Sequence, residues 1–320
     1  MRLIVTKISS DWPLGAAKGS VHSVHDRVLN IKFASHGLHS VVDEEMFGEQ
    51  ARVIYVQFPS RFRFTDALTA SEAVFLHARL IAFEKAPYFL DLASAATICV
   101  PKEKRMNRKI SSGRYLESWL AAWNFLTKYD GPKGFVPENT TGPSGGFLTA
   151  VADHFWGNLP TLLRNLQLGN LGSSVELASE FRGLGLGYTP SGDDFLTGLL
   201  VGADRAASSK AAKDFVGKFG TVLIQDAWVQ NELVGKFRKD SFNGYPNLLL
   251  REIYFLLERG VKGVPLESTI RNALRCGSTS GWDTVLGLLA GLSLWRSELV
   301  ARIEMYCERR EWRGGYDLTC

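Results

Sequence analysis

The chain has 320 residues, of which 45% are hydrophobic and 22% are charged. This composition is typical of a globular protein, and the length predicts two domains or subdomains. A formal net charge of +4 is too small to indicate nucleic-acid binding. The four cysteines have no Cys-x-x-Cys spacing, and the apolar runs are too short to span a bilayer. We therefore expect a cytoplasmic protein with no nucleic-acid partner, no membrane segment and no disulfide framework.

Residues 1–70 are predicted to form a small antiparallel β domain. They contain short segments that are β-branched or that alternate in polarity, separated by Gly, Pro, Asp and Ser. These segments are 3–5, 28–33, 40–42 and 52–58.

Two His-x-x-His pairs fall in this β-rich part, His22 with His25 and His36 with His39. Residues three apart in a strand point to opposite faces, so neither pair could chelate a metal from one strand. We expect these histidines on the surface or in loops, and no metal site.

From residue 71 the hydrophobic spacing becomes helical, and residues 71–320 are predicted to form a mostly α-helical bundle domain. The first helix is expected between Ser71 and Pro87. A second, over 112–128, carries an aromatic stripe that we interpret as core. A Gly- and Pro-rich stretch at 130–146 indicates a weak internal break. Further helices are expected at 147–167, 174–182, 190–207, 211–236, 246–259, 266–275 and 280–308. The predicted fold class is α+β.

The helical half contains a glycine-rich stretch followed by two acidic residues. Gly183, Gly185 and Gly187 alternate, and residues 189–194 read Thr-Pro-Ser-Gly-Asp-Asp. Alternating glycines predict positive φ angles or a close backbone approach. Ser191 is the expected N-cap of a helix, and its spacing from the second aspartate resembles a capping box. Free amides at such a helix start favour an anion, although a well-capped helix after a loop remains an alternative.

Residues 278–291 repeat residues 189–202. Seven of fourteen positions are identical, at Ser191/Ser280, Gly192/Gly281, Asp194/Asp283, Gly198/Gly287, Leu199/Leu288, Leu200/Leu289 and Gly202/Gly291. In each copy the aspartate and two glycines are four residues apart, so they share one stripe of a helix. We expect an internal repeat of two helices, each with a Ser-Gly-x-Asp start, packed through their glycines. Parallel helices would bring both starts to one site, whereas antiparallel helices would separate them.

The candidate site is polar and suited to a small molecule with an anionic end and an amide end. Its candidate catalytic residues are Asp193, Asp194 and Asp283. Its candidate substrate-binding residues are Gly185, Gly187, Thr189, Ser191, Gly192, Ser278, Thr279, Ser280 and Gly281. No metal-ligand set is predicted, and a hydrated Mg²⁺ is the only cofactor that the aspartates suggest.

The stretch from residue 183 to 198, Gly-Leu-Gly-Leu-Gly-Tyr-Thr-Pro-Ser-Gly-Asp-Asp-Phe-Leu-Thr-Gly, resembles the signature of the AllH (YlbF)-like family, long known as a domain of unknown function. Residues 277–283, Gly-Ser-Thr-Ser-Gly-Trp-Asp, are similar to that family's second motif. The likeness is close over about 180–295 and looser in the N-terminal region.

The resemblance implies a subunit of a multi-protein oxamate carbamoyltransferase of anaerobic allantoin and purine breakdown. Such a transferase converts oxalurate and phosphate into oxamate and carbamoyl phosphate. The resemblance also implies a small anionic substrate and a hetero-oligomer with an acyl-CoA-synthetase-like subunit. The residues themselves leave an alternative open, a non-catalytic scaffold or assembly subunit that uses its glycine-striped helices for packing.

Overall fold

The computed structural model describes residues 1–13, 15–44, 52–99, 112–136 and 143–309. The chain divides into two compact units, Met1–Glu103 and Lys104–Cys320. The strands in the described residues are β1 (Arg2–Ser9), β2 (Ala17–Val24), β3 (Val28–Phe33), β4 (Gly37–Asp43), β5 (Val53–Val56), β6 (Ala73–His77), β7 (Leu80–Phe83), β8 (Phe89–Asp91) and β9 (Ala96–Ile98). The helices described are α1 (Ser112–Thr127), α2 (Pro143–Leu168), α3 (Leu171–Phe181), α4 (Ser191–Ala206), α5 (Lys210–Gln230), α6 (Glu232–Phe242), α7 (Leu248–Glu258), α8 (Val264–Leu274), α9 (Ser280–Ser293) and α10 (Ser297–Glu308).

The first unit is one mixed sheet that closes on itself. Its strand order is β5-β4-β3-β2-β6-β7-β8-β1-β9, and β1 also pairs with β5. Pairs β1–β8, β1–β9 and β4–β5 are parallel, and the others are antiparallel. The pairing of β5 with β1 closes the sheet and removes the free edge that β5 would otherwise expose, while β9 pairs with β1 alone among the described strands. The prediction of a small antiparallel β domain was therefore wrong, because the sheet is larger, mixed and closed.

The helix predicted after Ser71 was also wrong, since β6 and β7 occupy this stretch. Val74 and Leu76 of β6, and Ile81 and Phe83 of β7, are buried and alternate with more exposed neighbours. A short apolar run can fit both a strand and a helix period. Pairing of β6 with β2 satisfies its backbone and decides between the two. The β unit consequently extends to Glu103, past the position near residue 70 expected from the sequence.

His39 differs from the surface position expected for the N-terminal histidines. Only 2% of the residue is exposed, and its ring packs edge-on against Trp12 and Phe33. It is therefore a core residue of the closed sheet.

The second unit follows the predicted helical pattern closely. Its aromatic stripe on α1 is buried, as expected, and the Trp119 indole donates to the carbonyl oxygen of Leu289 at 3.0 Å. Two predicted long helices are each split, the first at Asn231, whose side chain caps α6, and the second between α9 and α10. Residues 137–142 of the predicted break lie outside the described residues, while Phe135 is buried in the helical core. Among the helices described, none has the length and apolar character needed to cross a bilayer.

The two repeated helices, α4 and α9, pack against each other in parallel through their glycines. A Cβ at Gly198 would overlap the Thr284 carbonyl, and a Cβ at Gly287 would overlap the Phe195 carbonyl. One turn later, a Cβ at Gly202 would lie 2.9 Å from the Cα of Gly291. Positions rise together along both helices, so the helices share one direction. The expected packing through the glycine stripe is confirmed.

Gly198→Ala should destabilise the protein by several kcal/mol, because the new methyl group must displace the backbone of α9. Gly217→Ala on α5 is the matched control, since an added Cβ there meets nothing within 4 Å. Alanine at that control position should stabilise the helix by up to about 1 kcal/mol. Urea unfolding of both variants measures the difference, and equal stabilities would contradict the proposed close contact.

Candidate functional site

The parallel packing of α4 and α9 brings the two Ser-Gly-x-Asp starts side by side. The Thr189 hydroxyl lies 3.2 Å from the Ser280 hydroxyl, and the Ser191 hydroxyl lies 3.5 Å from that of Thr279. Each serine thus contacts a threonine of the other copy. The repeat in the sequence is also a repeat in the structure, with its two halves joined at their helix starts.

The predicted serine caps were wrong. Helix α4 begins at Ser191 with Pro190 as N-cap, and α9 begins at Ser280 with Thr279 as N-cap. Neither N-cap side chain accepts a helix amide. The two serines lie one residue inside the helices, where their hydroxyls face the opposite helix. Capping is a local interaction, so the sequence could not show that a tertiary neighbour would compete for the serine.

The glycines before α4 adopt the backbone that their spacing predicted. Gly183, Gly185 and Gly187 have φ angles of 68°, 104° and 103°. The loop they form turns back on the helix start, and the Leu184 carbonyl accepts the Gly192 amide at 2.9 Å. In the second copy the Cys276 carbonyl accepts the Gly281 amide at 3.0 Å. These two amides, expected to bind a ligand, are therefore already hydrogen-bonded within the chain.

Gly192 and Gly281 have a second, shared reason to be glycine. A Cβ at Gly192 would overlap the Phe181 carbonyl at the end of α3, and a Cβ at Gly281 would overlap the Ala273 carbonyl near the end of α8. Each half of the repeat thus includes the preceding helix, with α3 and α4 corresponding to α8 and α9.

Asp193 is held in a buried ion pair that sequence reasoning missed. Its Oδ1 accepts from Nη2 of Arg238 at 3.0 Å, and its Oδ2 accepts the Gly183 amide at 3.0 Å. Arg238, on α6, has no exposed surface and also donates to the Leu223 carbonyl. The pairing could not be predicted from the sequence, because Arg238 and Asp193 are 45 residues apart and no local pattern links the two positions.

Asp194 and Asp283 are the two carboxylates at the junction of the helices. Asp283 has no exposed surface, and burial raises its pKa to about 7. Burial and the nearby charge of Asp283 raise the pKa of Asp194 well above its usual range. Hydrogen bonds from Ser280 and Thr189 oppose that rise. Although protein atoms crowd the Asp194 carboxylate, part of the residue still reaches solvent.

Gly134 also contributes to this junction and was not predicted. Its amide donates to Oδ1 of Asp283 at 3.2 Å. The next residue, Phe135, holds it there by stacking on Phe155, while the Trp156 indole donates to the Phe135 carbonyl at 2.8 Å. A side chain at Gly134 would overlap the Ser191 hydroxyl and the Asp283 carboxylate. The sequence signal was present, since Gly134 lies in the loop interpreted only as a break.

A comparison with protein-family models found one family that matches part of the chain. Residues 181–292 match the AllH family. That family is described as oxamate carbamoyltransferase subunit AllH, and the match confirms the resemblance seen in the motifs. The AllH segment, residues 181–292, includes both repeated helix starts and Arg238, but not Gly134. Comparisons with curated proteins and with solved structures gave no match.

Within the AllH segment, some of the predicted site residues lie at the two central carboxylates and others do not. Thr189, Ser191, Thr279 and Ser280 surround the two central carboxylates, and Gly185 packs against Ser191. Gly187 and Ser278 are exposed residues of the loops that precede α4 and α9.

Asp193 and Asp283 are poorly placed to hold a hydrated Mg²⁺ ion. The described residues contain no group of three or more His, Cys, Asp or Glu placed to hold a metal. Both oxygens of Asp193 are already engaged, and Asp283 has no exposed surface beside which a hydrated ion could sit.

Asp193→Asn and Asp194→Asn should have opposite effects on stability, although the residues are adjacent. Loss of the Asp193 charge leaves buried Arg238 uncompensated, which typically costs about 3–5 kcal/mol. Loss of the Asp194 charge relieves repulsion with Asp283 and should be neutral or stabilising at neutral pH. Denaturant unfolding of the pair of variants tests this, and an equal loss in both would contradict the assignment.

The free energy of unfolding of the wild-type protein should fall as the pH rises from about 4 to about 7, because Asp283 loses its proton. The Asp283→Asn variant should not show this fall. The folded protein binds this proton more tightly than the unfolded chain, because the folded pKa of about 7 lies above the ordinary value of 3.8. Its contribution is therefore complete below the ordinary pKa and is lost as the pH rises through 7. The expected loss is on the order of a few kcal/mol. Unfolding free energies of both proteins across this range should diverge, and parallel profiles would refute the prediction.

Proposed function

We propose that this chain is a subunit of an oxamate carbamoyltransferase that binds a small anionic amide at the joined starts of α4 and α9. The reaction class is carbamoyl transfer between oxalurate and phosphate on one side and oxamate and carbamoyl phosphate on the other. A partner subunit resembling an acyl-CoA synthetase completes the enzyme in this proposal.

The observation that carries the proposal is the junction itself. Two carboxylates and four hydroxyls from separate parts of the chain converge at one place, and Asp194 as a whole residue is not fully buried. Buried carboxylates with raised pKa values are expensive to maintain and are concentrated at functional sites. The AllH match covers both halves of this junction, which connects it with the described activity of that family.

The residues have different roles in the proposal. Asp194 accepts hydrogen bonds from the substrate amide, and Thr189 and Ser280 orient that carboxylate. Asp193 positions α4 through Arg238 and does not contact the substrate. The exposed amides before α4 supply donors to the anionic end, because those of Gly192 and Gly281 are already used.

A second candidate function, the assembly scaffold, is favoured by a specific observation. The glycines of α4 and α9 pack against each other within the chain. The amides of Gly192 and Gly281 donate to carbonyl groups of the same chain. A scaffold would need the packing of the two helices but not the charge of Asp194.

Isothermal titration of the chain, alone and co-expressed with its partner subunits, distinguishes the two functions. The ligands are oxamate, carbamoyl phosphate and inorganic phosphate. Loss of a charge-assisted hydrogen bond in Asp194→Asn should weaken binding about tenfold or more, since such bonds contribute about 1.5–3 kcal/mol.

Asp214→Asn, at an exposed aspartate on α5, is the matched control and should bind normally. Full carbamoyltransferase activity of a complex that contains Asp194→Asn would refute the substrate site and favour the scaffold. Absence of binding in both the wild-type chain and its complex would refute it as well.

A further inference from the structure

The two central carboxylates are arranged as reciprocal halves of one unit. Asp194 of α4 accepts hydrogen bonds from Ser280 of α9 and from Thr189. Asp283 of α9 lies against the hydroxyls of Ser191 of α4 and of Thr279. Each carboxylate therefore receives a serine from the opposite helix and a threonine from its own repeat.

One oxygen of this unit stands out. Oδ2 of Asp283 is buried and forms no well-aligned hydrogen bond with any described residue. The hydroxyls of Ser191 and Thr279 favour the charge of the Asp283 carboxylate as a whole. A buried carboxylate oxygen with no partner costs free energy unless it is protonated or meets a ligand.

The groups around the pair supply little positive charge to neutralise it. Asp193 shares α4, and Arg238 on α6, which is paired with Asp193, also attracts the charge of Asp194. The loop before α2 contributes the Gly134 amide, and Lys133 beside it directs its ammonium group to the Thr127 carbonyl at 3.3 Å. Two full negative charges at this junction would therefore repel each other in a poorly solvated place.

We propose that Asp194 and Asp283 form a coupled pair that holds one proton at neutral pH and exchanges it with the bound ligand through Asp194. This rests on the proposed function for the identity of the ligand. In carbamoyl transfer to oxamate, the amide nitrogen forms a bond to the carbamoyl carbon, the bond from that carbon to the phosphate oxygen breaks, and phosphate leaves. The N–H bond of the attacking nitrogen also breaks, and its proton passes to a carboxylate oxygen of the pair. In phosphorolysis of oxalurate, a phosphate oxygen forms a bond to the carbamoyl carbon, the carbon–nitrogen bond breaks, and the proton returns from the pair to the departing nitrogen. Asp194 is then a catalytic residue, and Asp283 acts through it as a positioning residue.

The test is a pH titration of the full chain labelled with ¹³C at its aspartate carboxyl carbons. Signals are assigned with Asp194→Asn and Asp283→Asn, and Asp214→Asn serves as the control. Both pair signals should move together in the wild type, because a coupled pair titrates as a unit. In Asp283→Asn the titration of Asp194 should shift to lower pH by about one unit or more, since the like charge is gone.

A variant at Ser280 tests the same proposal if the two asparagine variants do not fold. Ser280→Ala removes a hydrogen bond that favours the charged form of Asp194, so the titration should shift to higher pH, and Ser280→Thr should restore it. A merely structural serine would change stability without moving this titration.

Independent titration of the two aspartates at acidic pH would overturn the proposal. An unchanged Asp194 titration in Asp283→Asn would also overturn it. Displacement of the proton by added Mg²⁺ or K⁺ at constant pH would identify a cation site in place of a proton pair, which overturns the proposal too.

The experiments distinguish a failure of the proposed carboxylate pair from a failure of the proposed substrate site. The titration needs no ligand, whereas calorimetry with oxamate and phosphate in buffers of different ionisation enthalpy measures protons exchanged on binding. A coupled titration without ligand binding supports the pair and refutes the substrate site. Ligand binding with independent titrations refutes the pair alone.

Discussion

The close contact between α4 and α9 is the constraint on which the site depends. Four glycines allow the two backbones to touch, and each excludes a side chain because a carbonyl oxygen or an α-carbon of the other helix occupies that space. The glycines in contact lie at the same distance from the start of each helix, so this parallel packing places the two starts side by side. The meeting of Asp194 and Asp283 is therefore a consequence of backbone packing, and the surrounding hydroxyls follow from the same repeat.

That packing also brings the carboxyl groups of Asp193, Asp194 and Asp283 into a poorly solvated region, and their charges are stabilised in two ways. Asp193 is neutralised by Arg238, a fully buried cation that ties α6 to the start of α4. Asp194 and Asp283 receive hydroxyl groups and the Gly134 amide, which favour their charge only in part, so the pKa of each stays raised. Adjacent aspartates in the sequence thus have different physical roles. One stabilises the fold, and the other belongs to the pair of carboxylates at the junction of the helices.

Much of the site could be predicted because the relevant patterns are local or repeated. The seven identical positions predicted two similar helices, and the spacing of Gly198 and Gly202 predicted their shared stripe. The capping role of Ser191 failed for a physical reason, since a hydroxyl that can cap its own helix can equally bond across to Thr279. Arg238 and Gly134 were missed because their partners are 45 and 149 residues away, beyond any local pattern.

Patterns in the sequence predicted the helical periodicity of the second unit, the internal repeat and the glycine positions that need positive φ angles, because each pattern can be recognised without knowing the fold. Long-range pairing was needed to assign β6 and β7 as strands, since a short apolar run such as 73–83 fits either period until β2 pairs with it. Long-range packing was also needed to show that α4 and α9 run in parallel. Direction depends on how the intervening helices return the chain, and no stripe of residues on one helix specifies the orientation of another.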